Sequence, residues 1–283
     1  MILDGKIAAA NIKHKLTKEV ISAAEQGKRL PELVIITIGI NDASKVYVRN
    51  KINACHEIGI YCRHCTFLGE ETNQEIINTI HQYNKDNTVD GIMVQLPLPE
   101  GYDERAIIDA IDPEKDVDGL TTTNIGRLRS GQPGLRPCTA KGIIDLCHYY
   151  NIKLDGKNVT IIGRSNIVGK PLADLMMAEG ATVTQCHSHT YNISYHTLGA
   201  DIVVSAIGKP KFLGKDCFYT SLFDAVIDVG INRDEEGKLC GDVDFEEVKE
   251  YTNAITPVPG GVGPMTVAEL MSNTVEAWRK NIF

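Results

Sequence analysis

The stretch NVTIIGRSNIVGKPLADLMM, residues 158–177, decides the fold. Val159, Ile161 and Ile162 read as a buried strand, residues 163 to 170 as a turn with a glycine at each end, and Pro171 as the first residue of a helix. Strand, glycine turn and helix together form the front half of a nucleotide-binding unit. Glycine lets the main chain approach a phosphate closely, and the first N–H groups and the dipole of the following helix favour an anion. Gly163 and Gly169, with Ser165 between them, do not reproduce G-x-G-x-x-G, and an ordinary tight βα turn is the alternative reading of the stretch taken alone.

The residues that follow narrow the reading. A second strand, residues 181 to 186, runs into His187, Ser188, His189 and Thr190, and no Asp or Glu occurs between Gly180 and Ala200. A site for NAD carries an acid about 20 residues after the glycine turn to hold the ribose 2′-hydroxyl. Here donors and the guanidinium of Arg164 stand in its place, which favours the 2′-phosphate of NADP.

Outward from this unit, strand and helix patterns alternate through the first 120 residues, which argues for a parallel α/β layer of its own. LVIITI (33–38) reads as a buried strand, residues 39 to 43 as a turn, and Ser44 as the cap of a helix reaching about Glu57. Residues 60 to 67 form a second strand, the T-x-x-E of Thr72 and Glu75 opens a helix, and residues 90 to 96 form a third strand closed by Pro97 and Pro99. A helix near residues 103 to 111 and the acidic loop DPEKDVDG (112–119) follow. Residues 121 to 137, rich in Gly and Pro, read as a connector, and residues 139 to 150 as a helix leading into the nucleotide unit. Its later strands are residues 202 to 206 and 225 to 229, and the polar run 233 to 244 reads as a surface hairpin. TPVPGGVGPMT (256–266) excludes helix and strand by its Pro and Gly content, and Thr266 with Glu269 makes a second capping box for a terminal helix.

Length and charge bound the function. At 283 residues two domains or one large α/β domain are expected, and a net charge of −8 without a basic run argues against nucleic acid. No apolar run approaches the ~20 residues that span a bilayer, and MILDGKIAAANIKHKL reads as a helix rather than a secretory signal. Eight scattered cysteines fit reduced thiols, hence a cytoplasmic setting. Cys62 and Cys65 alone form a C-x-x-C, in a strand-like run with no second pair at zinc spacing, so no metal is expected there. DPEKDVDG, aligned as a calcium loop from Asp112, lacks the required glycine and the final glutamate.

Tyr47 and Lys51, one helical turn apart, suggest a phenol and an amine acting together, or equally an exposed face with a half-buried tyrosine. The Tyr-x-x-x-Lys of short-chain dehydrogenases follows its nucleotide turn, whereas this pair precedes it by more than a hundred residues. Five segments then converge: SKVYVRNK (44–51), DGIMVQLPLP (90–99), DPEKDVDG (112–119), GRSNIVGKP (163–171) and TPVPGGVGPMT (256–266). In order and separation they resemble the bifunctional methylenetetrahydrofolate dehydrogenase/methenyltetrahydrofolate cyclohydrolases, across essentially the whole chain.

The resemblance implies two α/β domains with a cleft between them, residues 1–120 plus 266–283 catalytic and folate-binding, and residues 140–262 a Rossmann-type, doubly wound parallel sheet for NADP. It implies oxidation of the methylene bridge of tetrahydrofolate, hydrolysis of the methenyl product to 10-formyltetrahydrofolate, a homodimer, and a place in one-carbon metabolism supplying purine, histidine and methionine synthesis. It gives Lys51 as the catalytic amine, Tyr47 as packing on folate and positioning it, Gln95 with Val94 and Leu96 as lining, and Asp118 as holding the pterin. Pro259, Gly260, Gly261, Val262, Gly263, Pro264, Met265, Thr266 and Val267 close over the substrate, and Gly163, Arg164, Ser165, Ser188 and Ile231 hold NADP. An NADP-binding sensor without turnover would lack a Lys51 or Asp118 equivalent; a monofunctional enzyme is separated only weakly by sequence.

Overall fold

The structure, a computed structural model, describes residues 1–39, 42–219 and 222–282, and only the backbone of residues 42 to 44. The chain forms two compact units, Ala10–Cys138 with Val267–Phe283, and Met1–Ala9 with Thr139–Thr266.

In the unit of Ala10–Cys138 with Val267–Phe283, the elements in chain order are α1 (Gly5–Glu25), β1 (Glu32–Ile38), α2 (Asp42–Ile58), β2 (Tyr61–Phe67), α3 (Asn73–Lys85), β3 (Gly91–Val94), α4 (Glu104–Asp109) and α5 (Thr122–Arg129). The strands form a parallel sheet of order β2-β1-β3. The central β1 is a run of β-branched and apolar residues because both its faces are covered. Alternation divides it: Leu33 and Ile35 join one cluster with Leu16, Val20, Val48 and Trp278, whereas Val34, Ile36 and Ile38 join another with Ile76, Ile80 and Ile107. The same period separates Cys62 from Cys65, which lie on opposite faces of β2, each against a different cluster, so they cannot grip one ion. No His/Cys/Asp/Glu group suited to a metal occurs among the described residues.

The second unit contains α6 (Cys138–Tyr149), β4 (Asn158–Ile162), α7 (Gly169–Ala178), β5 (Thr182–Cys186), α8 (Ile193–Thr197), β6 (Ile202–Ser205) and β7 (Ala225–Asp228). A short hairpin, β8 (Asn232–Arg233) and β9 (Leu239–Cys240), precedes α9 (Phe245–Val248); the terminal α10 (Val262–Ile282) begins in this unit, and its residues from Val267 on belong to the first. Its sheet is wholly parallel, of order β5-β4-β6-β7, so the chain switches direction at β4. Residues 1 to 9, read from sequence with the first layer, contact this unit: Ile2 bridges Ile255, which itself bridges Val226 of β7. Gly5 lies so close to the Gly261 carbonyl that a Cβ would come within 1.7 Å of its oxygen.

Several elements depart from the sequence reading. The expected turn at residues 39 to 43 includes Ile40 and Asn41, outside the described residues; α2 begins at Asp42, so Ser44 lies within its first turn and not at its cap. Residues 121 to 137 are not all connector: Thr121 accepts the N–H of Asn124 and caps α5, tolerating Gly126 within it. α7 starts at Gly169 rather than Pro171, which costs no main-chain bond because the first-turn N–H groups have no partner within the helix. For the same reason α10 includes Gly263 and Pro264. Thr266 therefore opens nothing; its hydroxyl donates to the Thr139 hydroxyl at 3.2 Å, while the capping box at Thr72 and Glu75 forms as read. The 233 to 244 hairpin is only partly surface, since Asp242 and Val243 are buried.

The first unit carries a buried polar node. Asp90 accepts both guanidinium arms of Arg29 at 2.6 Å, the N–H of Glu32 at 3.0 Å and the amide of Asn281 at 2.9 Å. Trp278 adds a bond to the Arg29 carbonyl at 3.0 Å. Asp90→Ala strands a partly buried guanidinium, and roughly 3 kcal/mol of stability should go with it. Urea unfolding followed by Trp278, the sole tryptophan, measures this; a loss below about 0.5 kcal/mol would reduce the node to a surface ion pair.

Candidate active site

Lys51 is the unusual residue of the first unit. It sits on α2 with 8% of its surface exposed, and its Nζ donates to Gln95 Oε1 at 2.9 Å. Burial pushes its pKa below the ordinary lysine range, opposed by the negative charge of Asp118 and by Cys138. Gln95 continues from β3, its N–H held by the Ile36 carbonyl at 2.8 Å. Its Nε2 donates to the Leu96 carbonyl at 2.8 Å, which fixes the amide so that its oxygen faces the amine. An acceptor without charge holds Lys51 in place and adds nothing to the charges that oppose the effect of burial.

Lys51, Gln95, Asp118 and the Leu96 carbonyl are thus brought together, with Tyr47 one turn earlier on α2 and 40% exposed. Val94 is different: its side chain belongs to the buried cluster beneath the sheet, so what it offers a ligand is main chain. Gln95 also borders a cavity of about 500 Å³ lined by Thr37, Val48, Arg49, Ile52 and His64.

In the second unit the glycine turn follows β4 at the point where the sheet order switches, the position at which parallel sheets bind ligands. The glycines serve the fold first. A Cβ on Gly163, whose φ is +134°, would lie 2.3 Å from the Ala206 carbonyl oxygen after β6, and one on Gly169 would lie 2.3 Å from the Gly163 oxygen. Ser165 Oγ accepts the N–H groups of Val168 at 3.1 Å and Gly169 at 3.4 Å, so the start of α7 is partly satisfied within the chain. Arg164 and Ser165 are exposed on this edge, as is Ser188 in the loop after the adjacent β5. With donors, a cation and no acid after β5, the edge suits a phosphorylated ribose.

Two buried carboxylates, unnoticed in the sequence, organise the rest of that edge. Asp242 accepts from Ser205 Oγ, the N–H groups of Ile207 and Lys209, and Asn232 Nδ2, at 2.7 to 3.1 Å. Asp228 accepts from the N–H groups of Gly230, Asp242 and Val243, at 2.8 to 3.0 Å. Ile231 lies between these anchors, half exposed, its Cδ1 3.8 Å from where a Cβ on Gly263 would stand. In the 259 to 267 segment Val262 and Met265 are buried, Pro259 is exposed, and Gly263, Pro264, Thr266 and Val267 are partly open; Gly260 has φ +109°. The signal for Asp242 was its place between apolar neighbours in Cys240-Gly-Asp-Val243, which the polar reading of the hairpin passed over.

Family models for the tetrahydrofolate dehydrogenase/cyclohydrolase catalytic domain and NAD(P)-binding domain match residues 3–118 and 137–282. The chain belongs to the tetrahydrofolate dehydrogenase/cyclohydrolase family. Among tetrahydrofolate dehydrogenase/cyclohydrolases, it is 50% identical to the bifunctional protein FolD of Agathobacter rectalis, over 99% of both chains. The structure of the bifunctional FolD enzyme of Campylobacter jejuni superposes with a TM-score of 0.96 at 42% identity, over 99% of each chain. That of the Trypanosoma brucei enzyme, complexed with NADP cofactor and inhibitor, does so with 0.92 at 36% identity, over 99% of this chain and 97% of that one.

Burial pushes the Asp228 carboxyl up to about 6. A carboxyl with a higher pKa folded than unfolded binds more protons when folded. Its contribution to stability is therefore greatest below about pH 4 and is lost as pH rises through about 6. Across that window the unfolding free energy of Asp228→Asn, followed by circular dichroism, should gain roughly 2 kcal/mol relative to wild type. Parallel pH curves for the two proteins would remove Asp228 as a titrating group.

Proposed function

We propose that Lys51 is the base of the hydrolytic step and that one folate is carried through both reactions at the Lys51, Gln95 and Asp118 constellation. The chain oxidises 5,10-methylenetetrahydrofolate with NADP and hydrolyses the methenyl product to 10-formyltetrahydrofolate, as an enzyme of one-carbon metabolism. The unit of Ala10–Cys138 and Val267–Phe283 takes the folate, with Tyr47 against its ring system, Asp118 on the pterin, and Val94 and Leu96 contributing main chain. The unit containing Thr139–Thr266 takes NADP through Gly163, Arg164, Ser165, Ser188 and Ile231.

NADP⁺, when bound, supplies the hydride acceptor. Loss of hydride from the methylene carbon leaves a cation shared by two flanking nitrogens, so the protein's task in this step is orientation, for which Tyr47 and Asp118 are placed. In the second step water attacks the methenyl carbon. The neutral Lys51 amine accepts one proton from that water, leaving a hydroxyl on the carbon; that hydroxyl then gives up its proton as C=O forms, the bond from carbon to N5 breaks, N5 takes a proton, and the formyl group stays on N10. The observation that supports this role is the buried amine with a lowered pKa, held by the oxygen of a neutral amide. Gln95 contributes no charge that would restore the proton.

Lys51→Met should abolish cyclohydrolase activity, by at least about 10²-fold, with NADP affinity unchanged by fluorescence titration. Retained hydrolysis would remove Lys51 from the role. We also propose a cytoplasmic homodimer, in keeping with the family to which the chain belongs. Sedimentation equilibrium should give a species of twice 31.0 kDa; a concentration-independent monomer contradicts the assignment.

A further inference from the structure

We propose that Asn273, on the terminal helix α10, is a positioning residue for Asp118 and, through it, for the proton transfer at Lys51. Asn273 is fully buried, and its Nδ2 donates to the carbonyls of Val117 and Arg136, both at 2.9 Å, and approaches Cys138 Sγ at 3.5 Å. The Cys138 thiol donates to the same Val117 carbonyl at 3.2 Å. One amide group therefore ties the residue immediately before Asp118 to the segment leading into α6. On the other side of Asp118, Gly119 has φ +71°, and a Cβ there would lie 2.4 Å from the Arg136 carbonyl carbon and 2.6 Å from Pro137 N. The loop lies directly on the 136–137 main chain, and the amide of Asn273 is the clasp between the two.

The front of the loop is fixed separately. Asp116, also buried, accepts from the N–H groups of Leu120 at 3.2 Å and Thr121 at 2.8 Å and from Asn124 Nδ2 at 2.9 Å. Asp118 thus stands between two anchored neighbours. Asn273 Oδ1 is buried with no hydrogen-bond partner, so the side chain is oriented by its donor half alone. Asp118 and Cys138, which both oppose the effect of burial on Lys51, adjoin the clasp.

This inference rests on the proposed roles of Lys51 and Asp118, and the experiment separates the two. Asn273→Leu keeps the approximate shape and removes the donor. Its KM for methylenetetrahydrofolate should rise roughly tenfold, with the KM for NADP within about twofold of wild type. The acid limb of the cyclohydrolase profile should move to lower pH, because a displaced Asp118 no longer favours the charged amine. In an Asp118→Asn background the same substitution should change folate KM by less than about twofold, since the route through Asp118 is already cut. A folded Asn273→Leu with wild-type folate KM and pH profile, or equal effects in both backgrounds, overturns the proposal. Asn273→Ser, whose hydroxyl reaches one carbonyl at most, decides the matter by the same criteria if the leucine variant does not fold. Failure of the Lys51 assignment is read independently, from hydrolysis retained by Lys51→Met.

Discussion

A primary amine withdrawn from water is the constraint that the first unit is built to satisfy. Lys51 is buried on a helix beside the sheet, and an ammonium there must either find a carboxylate or lose its proton. The chain gives it the oxygen of an amide, while its nearby carboxylate, Asp118, acts through space. Each supporting group is set by main chain: Gln95 by a strand bond to Ile36 and a side-chain bond to its own neighbour, the Asp118 loop by Asp116 in front and Asn273 behind. The amine end of this arrangement is buried, whereas Tyr47, one turn earlier on α2, is exposed.

The second unit solves a different problem, the convergence of loops at one edge of a parallel sheet. Loops leaving β4 and β6 in opposite directions touch at Gly163 and Ala206, with no room for a side chain. Their free N–H groups then need acceptors, and Ser165 and Asp242 provide them from within the protein, while Asp228 holds the N–H groups of Gly230, Asp242 and Val243. Arg164, Ser165 and Ser188 remain outward on that edge with no acid after β5, which matches an anionic cofactor.

Much of this was legible before any coordinates. Strand periodicity located β1, β2 and β4 because each is a compact run of β-branched or alternating residues, and the T-x-x-E at Thr72 closed as its chemistry dictates. Helix starts were read late wherever Gly or Pro occupied the first turn, as at Gly169 and Gly263, since those positions make no internal bond and tolerate residues that interiors reject. Lys51 and Tyr47 were found by spacing, but their separation from Gln95 and Asp118 along the chain hides the pairing that matters. Asp116 and Asp242 were not found because each lies in a run read as polar, although Val117 and Val243 beside them are buried, and Asn273 because its partners, Val117 and Arg136, lie far along the chain.

Asp242 has a consequence for how the cofactor edge can vary. Four donors from the end of β6, the loop after it and the loop after β7 share one carboxylate, so neither loop has an independent conformation. Transplanting one of them from a distant relative would bring in a foreign backbone path with no matching acceptor. Loop, hairpin and carboxylate form one unit that can be exchanged only as a whole, whereas Arg164 after β4 and Ser188 after β5 are exposed and can be replaced without touching that carboxylate.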